Sequence, residues 1–367
     1  MRIKKIALTG GPCAGKTAAL QYLTDKLATF GVEVITVKEQ ASSLMADGKT
    51  PEGMGSYAFH SLLFSNQLKE EAKAEETAQE SKASTVLIVC DRGLLDSRAY
   101  VSSQEFESYS AMHSMNEDII RNRYDAVFHL VTAADGAEEH YECPEGTYRS
   151  ESIEQARELD ERLLALWTGT AHLRVIDNST GFEQKLEKLL EETLAVLGIP
   201  EPFEIERKLL IEYPDPEKLK ALRVCRRIPI TQAYMETPEE GIFRVRKRGE
   251  GIGAVYIKTA KYKINDLKRI EIEDYISEEE YLNYLSMRSC IKGVISKDRY
   301  CIVWHSRYYE LDVYPFWTDR ATLEIELLHE EQEYEIPDFV KLIRDVSFEK
   351  KYRNKQLAAK YGKFFTL

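Results

Sequence analysis

Gly10-Gly11-Pro12-Cys13-Ala14-Gly15-Lys16-Thr17 is the string whose residue types and spacing point most directly to chemistry. Its glycines let the backbone bend so that successive N–H groups face one point, a ready cradle for phosphate oxygens. The backbone of Gly10, Gly11, Cys13, Ala14, Gly15, Lys16, Thr17 and Ala18 would line that cradle. The Lys16 ammonium would reach the terminal phosphates and the Thr17 hydroxyl would ligate Mg²⁺. A glycine-rich turn with an incidental lysine is the plainer alternative. The flanks argue against it: Ile3 to Leu8 reads as a buried strand and Thr17 to Phe30 as an amphipathic helix, the setting such a loop requires.

Other candidates fall around this loop. Thr85 to Asp91 is a β-branched apolar run that delivers Asp91 at a strand end, where it would hold the magnesium or its water shell. Glu39 follows a second β-rich run, Val32 to Val37, and is either a general base toward an acceptor hydroxyl or a solvated strand-end charge. Residues 133–150 read as a loop able to close over nucleotide. Arg149 within it, with Arg157 and Arg162 beyond, would neutralise charge developing in phosphoryl transfer. For the last two, ordinary helix-surface pairing, as between Arg157 and Glu161, is the plainer reading. Asn178 follows the strand Leu173 to Asp177, where a nucleobase would sit, and Gln67 lies on a long helix, Tyr57 to Lys82, as a surface or acceptor-reading group. Strands and helices alternate up to Leu197, which predicts a doubly wound parallel sheet.

Beyond Phe203 the period changes from helical to alternating. Glu204, Glu206 and Lys208 share one strand face, as do Arg244, Arg246 and Arg248. Lys258 is placed similarly, Glu271 with Glu273 and Glu324 with Glu326 repeat the acidic version, and Tyr309 to Asp312 is a further candidate. A solvated sheet face is the ordinary explanation for any one strand. Sorting of bases onto some strands and acids onto others fits a closed sheet better, with its charged face turned into a lumen. Carboxylates there would hold Mg²⁺ or Mn²⁺, and Lys and Arg would grip phosphate oxygens.

The 367 residues suit two domains, 1–199 and 203–355, with a tail at 356–367. An apolar share of 43% with 31% charge describes a globular chain with ample core. A net charge of −12 excludes general DNA binding, so any basic patch is local. Six cysteines without C-x-x-C spacing point away from zinc or a disulfide framework and toward a reducing, cytoplasmic setting. No apolar run approaches the roughly eighteen residues of a membrane span.

The first half resembles the P-loop family of nucleoside- and nucleotide-kinase-like ATPases, on GGPCAGKT, Glu39, CDRG at 90–93 and the arginine-bearing segment. The second half is similar to the CYTH domain of triphosphate tunnel metalloenzymes. EIERK at 204–208 matches that family's E-x-E-x-K, and FRVRKRG, VYIKT, RIEIEDYI, SKDRY, YYELD and LEIEL follow in its order. The resemblance implies an eight-stranded barrel. Glu204, Glu206, Glu324 and Glu326 would be metal ligands, and Lys208, Arg244, Arg246, Lys258, Lys297 and Arg299 phosphate ligands. It also implies hydrolysis or cyclisation of a triphosphate: inorganic triphosphate, thiamine triphosphate, an RNA 5′ end or ATP. The fusion looks like the TRPL translocation defect protein group, associated with GTP binding and with phosphatidic acid in membrane traffic. That likeness implies an alternative, a non-catalytic switch that takes ATP or GTP and binds an anionic phospholipid.

Overall fold

The computed structural model describes residues 1–367 apart from 142–150, 202, 236–240, 266, 288–290 and 363–367. The chain divides into two compact units, Met1–Thr193 and Leu194–Leu367. In the first, strands β1 (Arg2–Thr9), β2 (Val32–Val37), β3 (Thr85–Asp91), β4 (Ala126–Leu130) and β5 (Leu173–Ile176) form a parallel sheet in the order β2-β3-β1-β4-β5. Helices Lys16–Ala28, Ser56–Glu80 and Ile153–Trp167 lie between successive strands and Phe182–Leu197 follows β5; the first two are close to the expected spans. The sheet is wholly apolar at its centre: Ile6, Ala7, Leu8 and Val86 to Cys90 are inaccessible to water. Such double-sided burial is what a parallel strand needs, and the register Leu8↔Asp91 sets the end of β3 beside the loop that leaves β1.

One buried carboxylate ties this layer together. Glu71, fully buried on the long helix, accepts from Tyr124 Oη at 2.6 Å, Gln67 Nε2 at 3.1 Å, Lys5 Nζ at 3.2 Å and Arg123 Nη2 at 3.3 Å. Gln67 also donates to the Arg92 carbonyl at 3.2 Å, and Tyr124 Oη accepts from the Leu94 amide at 2.9 Å. The network therefore fixes the turn after β3, and Gln67 is a buried brace rather than the surface residue expected.

In the second unit the strands are β6 (Phe203–Glu212), β7 (Cys225–Met235), β8 (Ile242–Arg248), β9 (Val255–Lys263), β10 (Lys268–Ile276), β11 (Ile291–Trp304), β12 (Arg307–Val313), β13 (Arg320–Glu326) and β14 (Leu342–Asp345). They make a nine-stranded antiparallel sheet, β10-β9-β8-β7-β11-β12-β13-β6-β14, in which β10 also pairs with β6. That pairing, Arg269↔Glu204, closes eight strands into a barrel and leaves β14 outside as an edge. Apolar residues Ile205, Leu209, Ile211, Leu311, Leu323 and Ile325 pack together on the outer side of β6, β12 and β13. By alternation the charged partners on those strands turn inward.

Removing one member of a buried ion pair leaves an uncompensated charge, at a cost of about 3–5 kcal/mol. Glu71→Ala is accordingly expected to move the urea midpoint of the first unit sharply downward; an unchanged midpoint would show that the network does not hold the turn after β3.

Candidate functional site

The loop between β1 and the helix Lys16–Ala28 has the backbone its glycines foretell. Gly10 (φ 134) and Gly15 (φ 83) lie where side chains strain, and Cys13 is also left-handed at φ 54. A Cβ on Gly10 would lie 2.0 Å from the Leu130 carbonyl oxygen, and one on Gly15 would lie 2.7 Å from the Phe182 ring. Lys16 Nζ folds back to donate to the Gly10 and Gly11 carbonyls, each at 2.8 Å. Thr17 and Ala18 are exposed at the mouth of the loop.

Gly11 departs from expectation. Its amide donates to Asp160 Oδ1 at 2.6 Å, so it belongs to the packing against the helix Ile153–Trp167 rather than to a phosphate cradle. Burial opposes the Asp160 charge, but the His129 ring at 3.1 Å, the Gly11 amide and Lys16 hold its carboxyl below the usual range. Asp160 was invisible to sequence reasoning because its partner lies on another element, with no local spacing to mark it.

Asp91 is nearly buried at the end of β3. Burial first, then Glu39 and Asp96, push its carboxyl upward against the pull of Lys16 and Arg92. The structure thus brings Lys16, Glu39, Asp91 and Asp96 around Arg92, a non-glycine residue held at φ 78. Arg92 pairs with Glu39 at 2.8 Å and Asp96 at 3.2 Å. Glu39 also accepts from Ser42 Oγ at 2.6 Å. Asn178 does not present a free side chain to a base: Nδ2 donates to the Thr132 and Asp135 carbonyls at 2.8 and 2.7 Å, and Oδ1 accepts from Lys185 Nζ at 2.7 Å. It braces the loop after β4. Arg157 donates to the Ala134 carbonyl at 2.5 Å and pairs with Glu138. Arg162 donates to the Ala99 carbonyl at 2.9 Å. Arg149 lies outside the described residues.

The barrel lumen is lined by charge. Lys208 on β6 meets Glu324 on β13 at 2.6 Å. Arg299 on β11 grips Asp312 through Nε and Nη2, both at 2.7 Å, reaches Glu324 at 2.6 Å and pairs with Glu310. Lys297 pairs with Asp312; burial, then Arg299, lowers its ammonium to about 8. Across the barrel, Arg244 contacts Glu271 at 3.1 Å and Glu273 at 3.3 Å, and Arg246 meets Glu273 at 2.7 Å. At the closing seam Lys261 reaches Glu204 at 2.6 Å and Glu271 at 2.9 Å. Burial works against the Glu204 charge, yet Lys261 and Arg244 hold its carboxyl at about 2.

Lys258 is a correction. The register sets it opposite Val245 on β8 and Asp274 on β10, the outward parity, while Thr259 lies opposite Arg244 and Glu273. Its ammonium pairs with Asp274 at 3.3 Å on the outside, and Lys261 takes the inward place. Glu271, Glu273, Glu310 and Asp312 are lumen groups that alternation had marked without assigning a role. Glu326 keeps the inward register, opposite Glu206, but is exposed.

Glu206 stands apart. It has no hydrogen-bond partner among the described residues, and burial, then the Glu324 and Glu204 carboxylates, push its own carboxyl up to about 7. A carboxyl that keeps its proton to neutral pH beside further carboxylates is the donor chemistry a hard divalent cation relieves. These residues fit such an ion in kind. Among the described residues, no three His, Cys, Asp or Glu side chains already converge as a metal-binding group, because the flanking acids are held by lysines and arginines.

Residues 5–185 match the AAA domain family model, and residues 202–361 match that of the CYTH domain. No curated protein matches the chain. Solved structures that it resembles include the inorganic triphosphatase NE1496, at 26% identity over 44% of this chain and 97% of that chain, TM-score 0.30. Another is HpAC1 from Hippeastrum, a putative adenylyl cyclase described as revealing a dominant triphosphatase activity (13% identity, 35% of this chain, 81% of that chain, TM-score 0.28). A third is PH1012 from Pyrococcus horikoshii OT3 (21%, 35% and 81%, TM-score 0.27). Among the described residues no helix is long and apolar enough to cross a membrane. The two family matches, one on the P-loop sheet and one on the closed charged barrel, identify this chain as an AAA-type P-loop domain followed by a CYTH domain.

Proposed function

We propose that the barrel binds and hydrolyses a triphosphate, inorganic or organic, with a divalent metal, and that the first unit binds ATP or GTP with Mg²⁺. The observation that carries this reading is the ring of buried, mutually paired acids and bases inside a closed wall. A triphosphate would take the carboxylates' places on Lys208, Arg244, Arg246, Lys261, Lys297 and Arg299, whose guanidinium forks suit phosphate oxygens. Glu206, with Glu204, Glu324 and Glu326 beside it, would hold Mg²⁺ or Mn²⁺. Such an ion, when bound, polarises a phosphoryl group and lowers the pKa of its water. In the first unit Lys16 would leave the Gly10 and Gly11 carbonyls for phosphate oxygens, Thr17 and Asp91 would hold Mg²⁺, and Glu39 would face any acceptor from its pairing with Arg92. Arg149 is assigned to charge neutralisation on sequence grounds.

A second reading has one surface feature in its favour. Leu342, Ile343 and Phe348 are exposed by 45%, 46% and 55%, beside Lys341, Arg344, Lys350 and Lys351. Apolar residues interleaved with bases are the composition that settles on anionic lipid. In this reading the chain is a nucleotide-regulated binder of a phospholipid such as phosphatidic acid.

Phosphate release from a panel of triphosphates under Mg²⁺ or Mn²⁺ separates the two. The first reading expects Glu204→Gln/Glu206→Gln to lower release from the barrel's substrate at least about a hundredfold and Lys16→Ala to leave it intact; no release from any triphosphate, with flotation on phosphatidic acid vesicles lost in Phe348→Asp, would favour the second. Mn²⁺ titration supplies an independent check. Glu206 is protonated below about 7, so the ion must displace a proton there. Apparent Mn²⁺ affinity should therefore rise from pH 6 toward pH 8, by up to about tenfold per unit below the carboxyl's pKa, and Glu206→Gln should flatten the profile. A flat profile in the parent protein would remove Glu206 from the metal site.

A further inference from the structure

We infer that Asp160 is the positioning residue of the nucleotide loop: by gripping the Gly11 amide it aims the Gly10 carbonyl at Lys16, and so parks that ammonium where terminal phosphates arrive. The inference rests on the nucleotide reading of the first unit and deepens it.

The Gly10–Gly11 peptide is the joint concerned. Glycine on both sides leaves its plane free to turn, since neither residue carries the Cβ that restricts rotation. Among the described residues the one cis peptide is Ile199–Pro200, so this peptide is trans, and its N–H and C=O point in opposite directions. Fixing one end therefore fixes the other. The N–H donates to Asp160 Oδ1 at 2.6 Å. The C=O accepts from Lys16 Nζ at 2.8 Å and from Arg92 Nη1 at 3.4 Å. Were the plane turned over, the Gly11 N–H would face the ammonium, donor against donor. Lys16 is only 5% exposed there and needs acceptors.

Asp160 is built to hold this orientation. Its second oxygen, Oδ2, meets His129 Nε2 at 3.1 Å, so the carboxylate is held at both ends. His129 stands on β4 opposite Thr9, the last residue of β1 before the loop, and is wholly buried. The space is tight as well: a Cβ on Gly11 would lie 3.0 Å from Asp160 Oδ1 and 3.3 Å from the Ala156 carbonyl oxygen. The same helix, Ile153–Trp167, secures the carbonyl's other donor. Trp167 Nε1 and Thr9 Oγ1 donate to Asp96 Oδ1 at 2.6 and 2.8 Å, and Asp96 Oδ2 pairs with Arg92 at 3.2 Å. One helix thus braces the peptide from both sides, the amide through Asp160 and the carbonyl through Trp167, Asp96 and Arg92. A carboxylate has no attraction for a phosphate, so Asp160 serves the nucleotide through Lys16. An ammonium already parked in the loop has only a short move to make onto phosphate oxygens, and its ordering is done beforehand.

The test is calorimetric binding of ATP, GTP, AMP and GMP to the full-length protein with Mg²⁺. Lys16 reaches only the terminal phosphates, so its placement shows as the preference for triphosphate over monophosphate. The barrel is the same in every chain compared, and differences between chains belong to the first unit. Asp160→Ala is expected to cut that preference at least about tenfold, the worth of one hydrogen bond to a charged group. Asp160→Asn, whose side-chain oxygen still takes the Gly11 amide, should keep it within about threefold. In a Lys16→Ala background Asp160→Ala should change it by less than about twofold, because the residue through which it acts is gone. A preference that is unchanged or raised in Asp160→Ala, or lowered as far without Lys16 as with it, would overturn the positioning role alone. A parent chain that shows no preference and loses no binding in Lys16→Ala would overturn the nucleotide reading as well. Should Asp160→Ala fail to fold, Gly11→Ala decides: its Cβ crowds the Asp160 carboxylate off the amide, and the same loss is expected. A folded Gly11→Ala chain with the full preference would sink the inference.

Discussion

A charge taken out of water must be paired, and the barrel obeys that constraint with its own side chains. Arg299 alone spans Asp312, Glu310 and Glu324, drawing on β11, β12 and β13. Lys261 on β9 joins Glu204 on β6 to Glu271 on β10, across the pairing that closes the sheet. Closure and charge pairing are therefore one event: an open sheet would expose these groups to water and leave their attraction worth little. Buried ion pairs of this kind are weak contributors to net stability, since desolvation offsets their attraction. A lumen built from them is better explained by what it can exchange for than by what it holds together.

Much of that lumen was legible in the sequence, because alternation with period two fixes which residues of a strand share a face. Glu204, Glu206 and Lys208 are a clean case, as are Arg244 and Arg246. Alternation does not fix which of two faces points inward, and there Lys258 misled. Only the register Arg244↔Thr259 decides that Thr259 and Lys261 are the inward residues of β9. Glu271 and Glu273 were marked by the same alternation, but their office as counter-ions to Arg244, Arg246 and Lys261 depends on partners far away in sequence.

In the first unit, motif and flanks revealed the loop, the strand that carries Asp91, and the position of Glu39. What they concealed is long-range and polar. Asp160 seizes the Gly11 amide from a helix that follows the loop by most of the unit's length. Asn178, which sequence puts where a nucleobase would sit, instead holds the Thr132 and Asp135 carbonyls, a long-range contact that sequence has no means of showing. Gln67, which sequence offers as a surface or acceptor-reading group, has its neighbours inside, Glu71 and the Arg92 carbonyl. In each instance a buried polar group found the partner that burial obliges it to have.

The two units meet the same ligand chemistry with opposite means. The P-loop relies on backbone dipoles, which carry no net charge and need no counter-ion when empty; Lys16 is satisfied by two carbonyls a few atoms away. The barrel relies on ionised side chains, and so must carry carboxylates inside itself to be stable before anything binds. The cost of that arrangement falls on Glu271, whose carboxyl is pushed well above the usual range by burial and then by Glu204, and on Glu206, the inward acid left without a hydrogen-bond partner among the described residues. Its neighbours Glu204 and Glu324 keep their charge through Lys261 and Lys208, so the remaining repulsion is relieved by a proton. On the proposed reading, a cation arriving there would replace the proton and draw on Glu204 and Glu324, and an anion arriving deeper would replace those acids on Lys261 and Lys208, so that each ligand would favour the binding of the other.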